Sequence, residues 1–367
     1  MLCAAYKGYS ASTVEINPFL VWFGRAKTSH YSASVISATH EKAFFLLNEL
    51  RRGNVRPVTP PPIHNIERWW KPEALSFLCH LKGAIDSIGE DDGASTALLR
   101  IAFCRTMMKL SNAAFNHQSM SFKAGGVLEL FSGYNPVNEY RDIFRHDLNF
   151  VLASAAENPL CSADVVGGDA RYLDEFVEGP FDLALTSPPY ANRMSYIREL
   201  RPYMYWLGYL RKAKEAGELD WNAIGGTWGV ATSRLLSWER NQASFRPAYL
   251  KGILNDIACA AEKNGELLSK YIDRYFEDIW QHLKSLCSVL SHGSRVHYIV
   301  GNSTFYGILL PTERVYAHML SELGFSDVTI TAIRKRNSKK ELFEFDVSAV
   351  YKTMGQKRRS HNEPPKR

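Results

Sequence analysis

The chain has 367 residues, 46% of them hydrophobic, with 44 Lys and Arg against 38 Asp and Glu. This composition excludes disordered and collagen-like proteins, and a formal charge of +6 permits a polyanionic partner without requiring one. The six scattered cysteines form no C-x-x-C pair, which argues against a zinc ribbon or a disulfide framework.

The N-terminal third predicts mostly helices. Residues 1–30 predict a helix end, a strand over Tyr9–Ile16 and a second helix opened by Asn17-Pro18, because proline suits a first helical turn. Residues 51–65 contain four prolines and predict a linker or an extended surface segment. Residues 66–115 and 137–155 have the apolar spacing of helices.

From residue 162 onward, short strands alternate with helices. The predicted strands are Ser162–Gly167, Phe181–Leu185, Arg295–Val300, and a hairpin of Val328–Ile333 with Glu344–Tyr351. Between the second and third of them, the apolar spacing from Leu267 to Leu283 predicts a long amphipathic helix. The alternation predicts an α/β fold with a mostly parallel sheet and helices on both faces. Ligands of such sheets bind beyond the carboxyl ends of the strands, where Glu15, Asp169 and Thr186–Tyr190 lie.

The sharpest motif is Thr186-Ser187-Pro188-Pro189-Tyr190, directly after an apolar strand. Its two prolines have fixed φ angles and no N–H groups, so the segment offers carbonyl oxygens without competing donors. Ser187 adds a hydroxyl acceptor and Tyr190 adds a flat ring. The combination predicts a pocket for a planar group that bears an amino group.

This motif resembles the catalytic motif of the DNA amino-methyltransferases that use S-adenosylmethionine, in the serine version most typical of cytosine-N4 enzymes. The resemblance implies a Rossmann-like class I methyltransferase sheet with a closing antiparallel hairpin and a helical insertion. It implies double-stranded DNA as the partner and a flipped-out base held by Ser187, Pro188, Pro189 and Tyr190. Positioning of the base would then be the main catalytic contribution.

Residues 8–22, GYSASTVEINPFLVW, resemble the second strand of these enzymes, where an acidic residue holds the ribose hydroxyls of the cofactor. The resemblance assigns that role to Glu15, with Asn17 beside it. The alternative is a surface glutamate at the end of a strand.

Residues 165–173, VVGGDARYL, resemble the third strand, where an acidic side chain faces the adenine amine. The resemblance assigns that role to Asp169 and adds Thr186 to the cofactor-binding residues. Asp169 also predicts a helix N-cap for Ala170 onward, and both roles are compatible.

Five arginines are predicted to contact DNA: Arg193, Arg198, Arg201, Arg334 and Arg336. The first three lie in or beside an aromatic-rich stretch, for which an amphipathic core helix is the alternative. The last two lie at the tip of the predicted hairpin, where a solvated turn is the alternative. Residues 224–234, IGGTWGVATSR, predict a glycine-rich loop that either contacts DNA or connects two elements.

The resemblance divides the chain into six segments. They are the N-terminal part of the sheet (1–50), a helical insertion (51–158), the catalytic strands (159–195), a DNA-recognition insertion (196–260), the C-terminal part of the core (261–352) and a disordered basic tail (353–367).

A glycine-rich turn, F-x-G-x-G, normally follows the first strand in these enzymes, because its backbone approaches the cofactor closely. We expect it upstream of residues 4–15, and the chain starts too late to contain it. An upstream polypeptide fragment that carries this turn is therefore a candidate partner. The rival position is VLELFSGYN at 127–135, which lacks the second glycine and would make 1–125 a separate helical domain.

The sequence therefore predicts a cytosine-N4 DNA methyltransferase of a restriction–modification system. We expect it in the prokaryotic cytoplasm, at the nucleoid when bound to DNA, since neither a membrane span nor a signal peptide is evident. No histidine spacing indicates a metal site. The alternatives are an adenine-N6 methyltransferase, a methyltransferase of RNA or of a protein amide, and a truncated DNA-binding subunit that needs a partner fragment.

Overall fold

The computed structural model describes residues 1–89, 93–114, 121–122, 136–192, 194–226, 230–261, 264–336 and 341–352. The chain divides into two compact units. Unit 1 comprises Met1–Gly168 and Ser195–Ala223, and unit 2 comprises Asp169–Met194 and Ile224–Arg367.

Unit 1 is mostly helical. Its helices are α1 (Leu2–Tyr6), α2 (Pro18–Thr28), α3 (Ala33–Arg52), α4 (Ile66–Trp69), α5 (Pro72–Asp86), α6 (Gly93–Lys109), α7 (Pro136–Ala156), α8 (Tyr196–Trp206) and α9 (Ala213–Asn222). Helix α3 is absent from the elements predicted above. This helix begins at an N-cap, Ser32, whose side chain accepts a hydrogen bond from the Val35 amide, and ends at Gly53 in the left-handed region.

The extended segment predicted between α3 and α5 is present and crosses α5 closely. The Val58 amide donates to the Cys79 carbonyl over 3.1 Å. At Gly83, a Cβ atom would lie 2.2 Å from the Arg56 carbonyl oxygen, so only glycine permits this approach.

The strands of unit 1 are β1 (Ala11–Glu15), β2 (Ala113–Ala114), β3 (Ser121–Phe122) and β4 (Ala163–Gly167). β1 and β4 are parallel, in a register that sets Glu15 opposite Gly167. The Arg25 side chain of α2 donates to the Val165 carbonyl over 2.8 Å and ties this helix to the pair. The carboxyl ends of both strands thus lie side by side.

Unit 2 contains the larger sheet. Its strands are β5 (Phe181–Thr186), β6 (Leu290–Gly301), β7 (Ser303–Phe305), β8 (Ile308–Leu310), β9 (Ser326–Lys335) and β10 (Phe343–Val350). Four of them form a sheet in the order β5-β6-β10-β9, in which β5 and β6 are parallel. The other two pairings are antiparallel, so the predicted hairpin of β9 and β10 is confirmed.

The helices of unit 2 are α10 (Val230–Ser237), α11 (Ala248–Cys259), α12 (Gly265–Val289) and α13 (Thr312–Glu322), with a 3₁₀ helix at Ala170–Glu175. α12 is the predicted long amphipathic helix, and its buried side includes Tyr275, Phe276 and Ile279. The prediction of a loop over residues 224–234 is wrong from Val230 onward, because α10 begins at that residue.

The fold is therefore mixed α/β, with a sheet that contains parallel strands, and it is compatible with a methyltransferase fold. Within the described ranges, no helix combines the length and the apolar character that crossing a membrane requires.

Candidate active site

The segment Thr186–Tyr190 follows β5 at the carboxyl end of the parallel strands. Thr186 pairs with Tyr298 of β6. The Ser187 hydroxyl donates a hydrogen bond to the Ile299 carbonyl over 3.1 Å. Since this bond uses the only hydroxyl proton, a lone pair of Ser187 remains to accept from a further group, besides the interaction of Ser187 with the Tyr190 hydroxyl.

The two prolines differ in what their carbonyl groups contact. The Pro189 carbonyl accepts a hydrogen bond of 2.8 Å from the Tyr275 hydroxyl. Among the residues that the structure describes, no donor contacts the Pro188 carbonyl. Within the described part of the chain, an acceptor without a partner therefore lies directly after the Ser187 hydroxyl, and neither proline has an N–H group to compete with it.

The Tyr190 ring lies against the end of β6. A Cβ atom at Gly301 would stand 3.1 Å from this ring and 3.3 Å from the guanidinium carbon of Arg336. The Arg336 guanidinium lies 5.8 Å from the ring centre, and it also donates to the Asn302 carbonyl. Gly301 therefore provides the space in which the tyrosine ring and the arginine lie together.

The Tyr190 hydroxyl interacts with Ser187 and with Glu344 of β10. Burial raises the pKa of this hydroxyl and the Glu344 carboxylate adds to the effect, whereas Ser187 and Arg336 oppose it. Arg334 forms two hydrogen bonds with Glu344, of 2.5 and 3.1 Å, and the first cause of the lowered Glu344 pKa is this pairing. The predicted DNA contact Arg334 is thus bound to a carboxylate of its own sheet.

Asp169 caps the 3₁₀ helix, as predicted. Its carboxylate accepts from the Arg171 amide over 3.0 Å and is also bound by the Arg171 guanidinium, with a shortest contact of 2.6 Å. The same guanidinium donates to the buried Asp278 of α12 over 2.8 Å. Burial raises the pKa of Asp278, although the charges of Arg171 and Arg274 oppose that shift. Asp169 is therefore held in place by an arginine anchored on α12.

His282 ties the loop after Asp169 to the sheet. Its Nδ1 atom lies 2.7 Å from the Ala170 carbonyl, which can only accept, so Nδ1 carries the proton. Its Nε2 atom then accepts from the Tyr298 hydroxyl over 2.8 Å. Burial lowers the pKa of His282, which favours this neutral form.

In unit 1, Glu15 and Asn17 lie together at the end of β1. The Glu15 carboxylate accepts from the Asn17 amide over 2.7 Å, and the Asn17 side chain caps α2 by accepting from Phe19 over 3.0 Å. Burial raises the pKa of Glu15, although bonds from the Asn17 and Ile16 amides oppose the shift. The buried Asn17 side-chain nitrogen has no partner among the described residues, so a donor remains for a bound group.

Arg198 and Arg201 lie on α8 in unit 1. The Arg201 guanidinium lies 5.4 Å from the centre of the Trp69 ring, and burial followed by repulsion from Arg198 lowers its pKa. On the same helix, Tyr205 and Trp206 are buried. Much of this aromatic-rich stretch thus belongs to the core of unit 1, the alternative considered for it.

Comparison with curated proteins finds two related methyltransferases. The chain is 23% identical over 332 residues to Type II methyltransferase M.MvaI of Kocuria varians. The aligned region covers 86% of this chain and 70% of that protein. It is 23% identical over 198 residues to Type II methyltransferase M.BsoBI of Geobacillus stearothermophilus, over 50% of this chain and 39% of that protein. The chain is thus similar to type II methyltransferases.

No family model and no solved structure matches the chain. The similarity to type II methyltransferases agrees with the general activity predicted from the motif. It leaves the base, the target atom and the roles of single residues as predictions.

Some predicted features lie outside the described residues. They are Arg193, the rival glycine-containing segment 127–135 and the basic tail 353–367. In the part of the chain that the structure describes, no three His, Cys, Asp or Glu side chains group as a metal site would require.

Tyr275, Gly301 and Arg171 are among the residues that contact the motif or Asp169 and that sequence reasoning missed. Tyr275 belongs to the apolar side of α12, Gly301 ends a buried strand, and Arg171 stands two residues after Asp169. Of these three, only Gly301 has a signal in the sequence, since it directly follows the predicted strand Arg295–Val300.

Proposed function

We propose that this chain is a DNA methyltransferase that acts on the exocyclic N4 of a flipped-out cytosine. One observation carries the proposal: the Ser187 hydroxyl oxygen and the Pro188 carbonyl, which no donor among the described residues contacts, are adjacent acceptors, as the two protons of one amino group require. The similarity to two type II methyltransferases supports methyl transfer and a restriction–modification setting. Serine at position 187 favours cytosine over adenine by resemblance.

The catalytic contribution of the chain is to position the base. Ser187 and Pro188 hold the amine so that its nitrogen lone pair points out of the plane of the base, and the Tyr190 ring stacks on that base. S-adenosylmethionine, when bound, supplies an electrophilic methyl group on a sulfonium. No cysteine nucleophile is needed, because the exocyclic nitrogen is itself the nucleophile.

The residues proposed for the cofactor have suitable chemistry. Glu15 offers a partly buried carboxylate for hydroxyl groups, and the Asn17 side-chain nitrogen is a donor that no described residue accepts from. Asp169 offers a carboxylate fixed by Arg171 for an amine, and Thr186 offers a hydroxyl at the end of β5. Each assignment is part of the proposal.

The test combines binding and product analysis on the purified full chain. We expect one-to-one calorimetric binding of S-adenosylmethionine, followed by N4-methylcytosine in the nucleosides of a double-stranded DNA substrate. N6-methyladenine in its place would contradict the assigned base. Methylation of RNA or protein alone would contradict DNA as the substrate, and folded protein that transfers no methyl group would contradict the proposal as a whole.

We expect the affinity for S-adenosylmethionine to fall as the pH is lowered. The fall should occur at a higher pH than the ordinary pKa of a glutamate, which is about 4.3. The reason is that ribose hydroxyls donate to the ionised Glu15 carboxylate, and burial raises its pKa. The charged form exists above the folded-state pKa and is lost as the pH falls through it. Calorimetric Kd values from about pH 5 to pH 8 measure this effect.

The control for this pH profile is Glu15→Gln, which keeps the shape of the side chain but cannot ionise. We expect weaker binding and a flatter profile. An identical pH dependence in the variant and the wild type would show that another group titrates, and would remove Glu15 from the proposed set.

A DNA-binding subunit completed by a partner polypeptide is the second candidate, and one observation favours it. Among the described residues, β5 has a strand partner only on its β6 side. Its Leu183 and Leu185 side chains are 55% and 67% exposed, although strands of parallel sheets are ordinarily buried on both faces. A partner fragment that supplies a strand for this edge, the glycine-rich turn and the helix after it would pair with the edge and also cover the exposed face. Folded chain that binds DNA but not the cofactor would favour this candidate.

A further inference from the structure

The structure connects the Pro-Pro segment to two helices through a pair of buried tyrosines. Tyr275 of α12 donates its hydroxyl proton to the Pro189 carbonyl over 2.8 Å. The Tyr316 hydroxyl of α13 lies 2.9 Å from the Tyr275 hydroxyl. Both rings are buried, and Gly225 lies near the Tyr275 ring and the Pro189 side chain.

The direction of the two hydrogen bonds follows from the chemistry of the groups. A carbonyl oxygen only accepts, so the proton of Tyr275 is committed to Pro189, and Tyr275 accepts the proton of Tyr316. Burial raises the pKa of Tyr316 well above its ordinary value, which keeps its hydroxyl a donor. The hydroxyl protons thus point in one direction, from Tyr316 to Tyr275 and from Tyr275 to the Pro189 carbonyl.

The Pro189 carbonyl is a sensitive point at which to hold this segment. The proline rings fix φ at residues 188 and 189, so the two ψ angles are the soft rotations that remain within the Pro-Pro pair, and that of Pro189 is the last before Tyr190. A hydrogen bond to the Pro189 carbonyl fixes the plane of the peptide group that joins Pro189 to Tyr190. The bond from Tyr275 therefore restricts the position and direction of the Tyr190 backbone, from which its side chain extends.

We propose that Tyr275 is a positioning residue for methyl transfer, and that Tyr316 orients the Tyr275 hydroxyl. The inference rests on the proposed function, because it assigns Tyr190 to the base. Under this inference, the geometry of the base pocket depends on the hydroxyl groups of Tyr275 and Tyr316, neither of which is assigned to the base or to the cofactor.

The test compares two phenylalanine variants in the full chain, since phenylalanine keeps the buried ring and removes only the hydroxyl. Tyr275→Phe leaves the Pro189 carbonyl without its donor, and we expect kcat to fall roughly tenfold with the Kd for S-adenosylmethionine unchanged. Tyr316→Phe is the matched control. It also removes a buried hydroxyl, but it keeps the bond to Pro189, so we expect at most about a threefold loss of kcat.

Thermal unfolding separates positioning from a general loss of stability. Tyr275→Phe loses two buried hydrogen bonds and Tyr316→Phe loses one, so we expect the larger decrease in Tm in Tyr275→Phe. We therefore compare kcat at a temperature well below both Tm values, where both variants remain folded, and still expect the larger loss in Tyr275→Phe. Unchanged kcat in Tyr275→Phe, or equal losses of kcat in the two folded variants, would overturn the positioning role alone. A wild-type chain that transfers no methyl group to DNA would overturn the proposed function, and this inference with it.

Discussion

Tyr190→Ala is expected to lower kcat for DNA methylation by about ten- to a hundredfold and to leave the Kd for S-adenosylmethionine within about twofold. The stacking of a base on an aromatic ring contributes about 1–3 kcal/mol, and alanine removes the whole ring. The Tyr190 ring lies against Gly301 and Arg336, whereas the Asp169 carboxylate is bound by Arg171. Single-turnover methylation and calorimetry on the same protein preparation measure the two quantities.

Tyr190→Phe is the matched control for this variant. It keeps the stacking surface and loses the hydroxyl that interacts with Ser187 and Glu344. We expect most of the activity to remain. If Tyr190→Ala lost cofactor affinity and kcat to the same extent, the ring would have a role in the fold or in the cofactor site, and its assignment to the base would be wrong.

Asp169→Ala is expected to have the opposite effect, raising the Kd for S-adenosylmethionine about tenfold or more. Hydrogen bonds to charged groups contribute roughly 1.5–3 kcal/mol, and Arg171 already holds this carboxylate in one orientation. At saturating cofactor we expect kcat to return close to the wild-type value. Calorimetric titration measures the Kd, and methylation at increasing cofactor concentration measures the recovery.

Two further variants identify the cause of a change at Asp169. Asp174→Ala removes an exposed carboxylate from the same 3₁₀ helix, so we expect no change in Kd. Asp278→Asn weakens the second anchor of Arg171 without altering Asp169. An unchanged Kd in Asp169→Ala would refute the proposed contact with the cofactor.

Much of the fold follows from local sequence patterns. The strand before Asn17-Pro18, the helix that this pair opens and the long helix α12 were all predicted, because their apolar spacing and capping residues agree. Helix α3 was not predicted, although Ser32 and Gly53 are good terminal signals. Its Phe44 and Phe45 are about two-thirds exposed, so apolar residues occur outside the buried face and obscure the helical period.

Some residues of the candidate site could likewise be predicted from the sequence, and others could not. The Ser-Pro-Pro-Tyr segment could be predicted because its chemistry lies in consecutive residues, and the Asp169 cap because its partner is two residues away. Tyr275 could not be predicted as a contact of Pro189, since 86 residues separate them and the helix that carries Tyr275 has an ordinary apolar face. Contacts of this kind depend on how distant elements pack, which a local pattern does not contain.

The contact of Tyr190 with Gly301 has a consequence for how such chains diverge. Any other residue at position 301 would put a β-carbon 3.1 Å from the ring, closer than side chains ordinarily approach. A descendant that gains a larger residue there must move its aromatic ring or the end of the strand. Glycine at this strand end and the aromatic residue after Pro-Pro are therefore expected to be inherited as a pair and to change together.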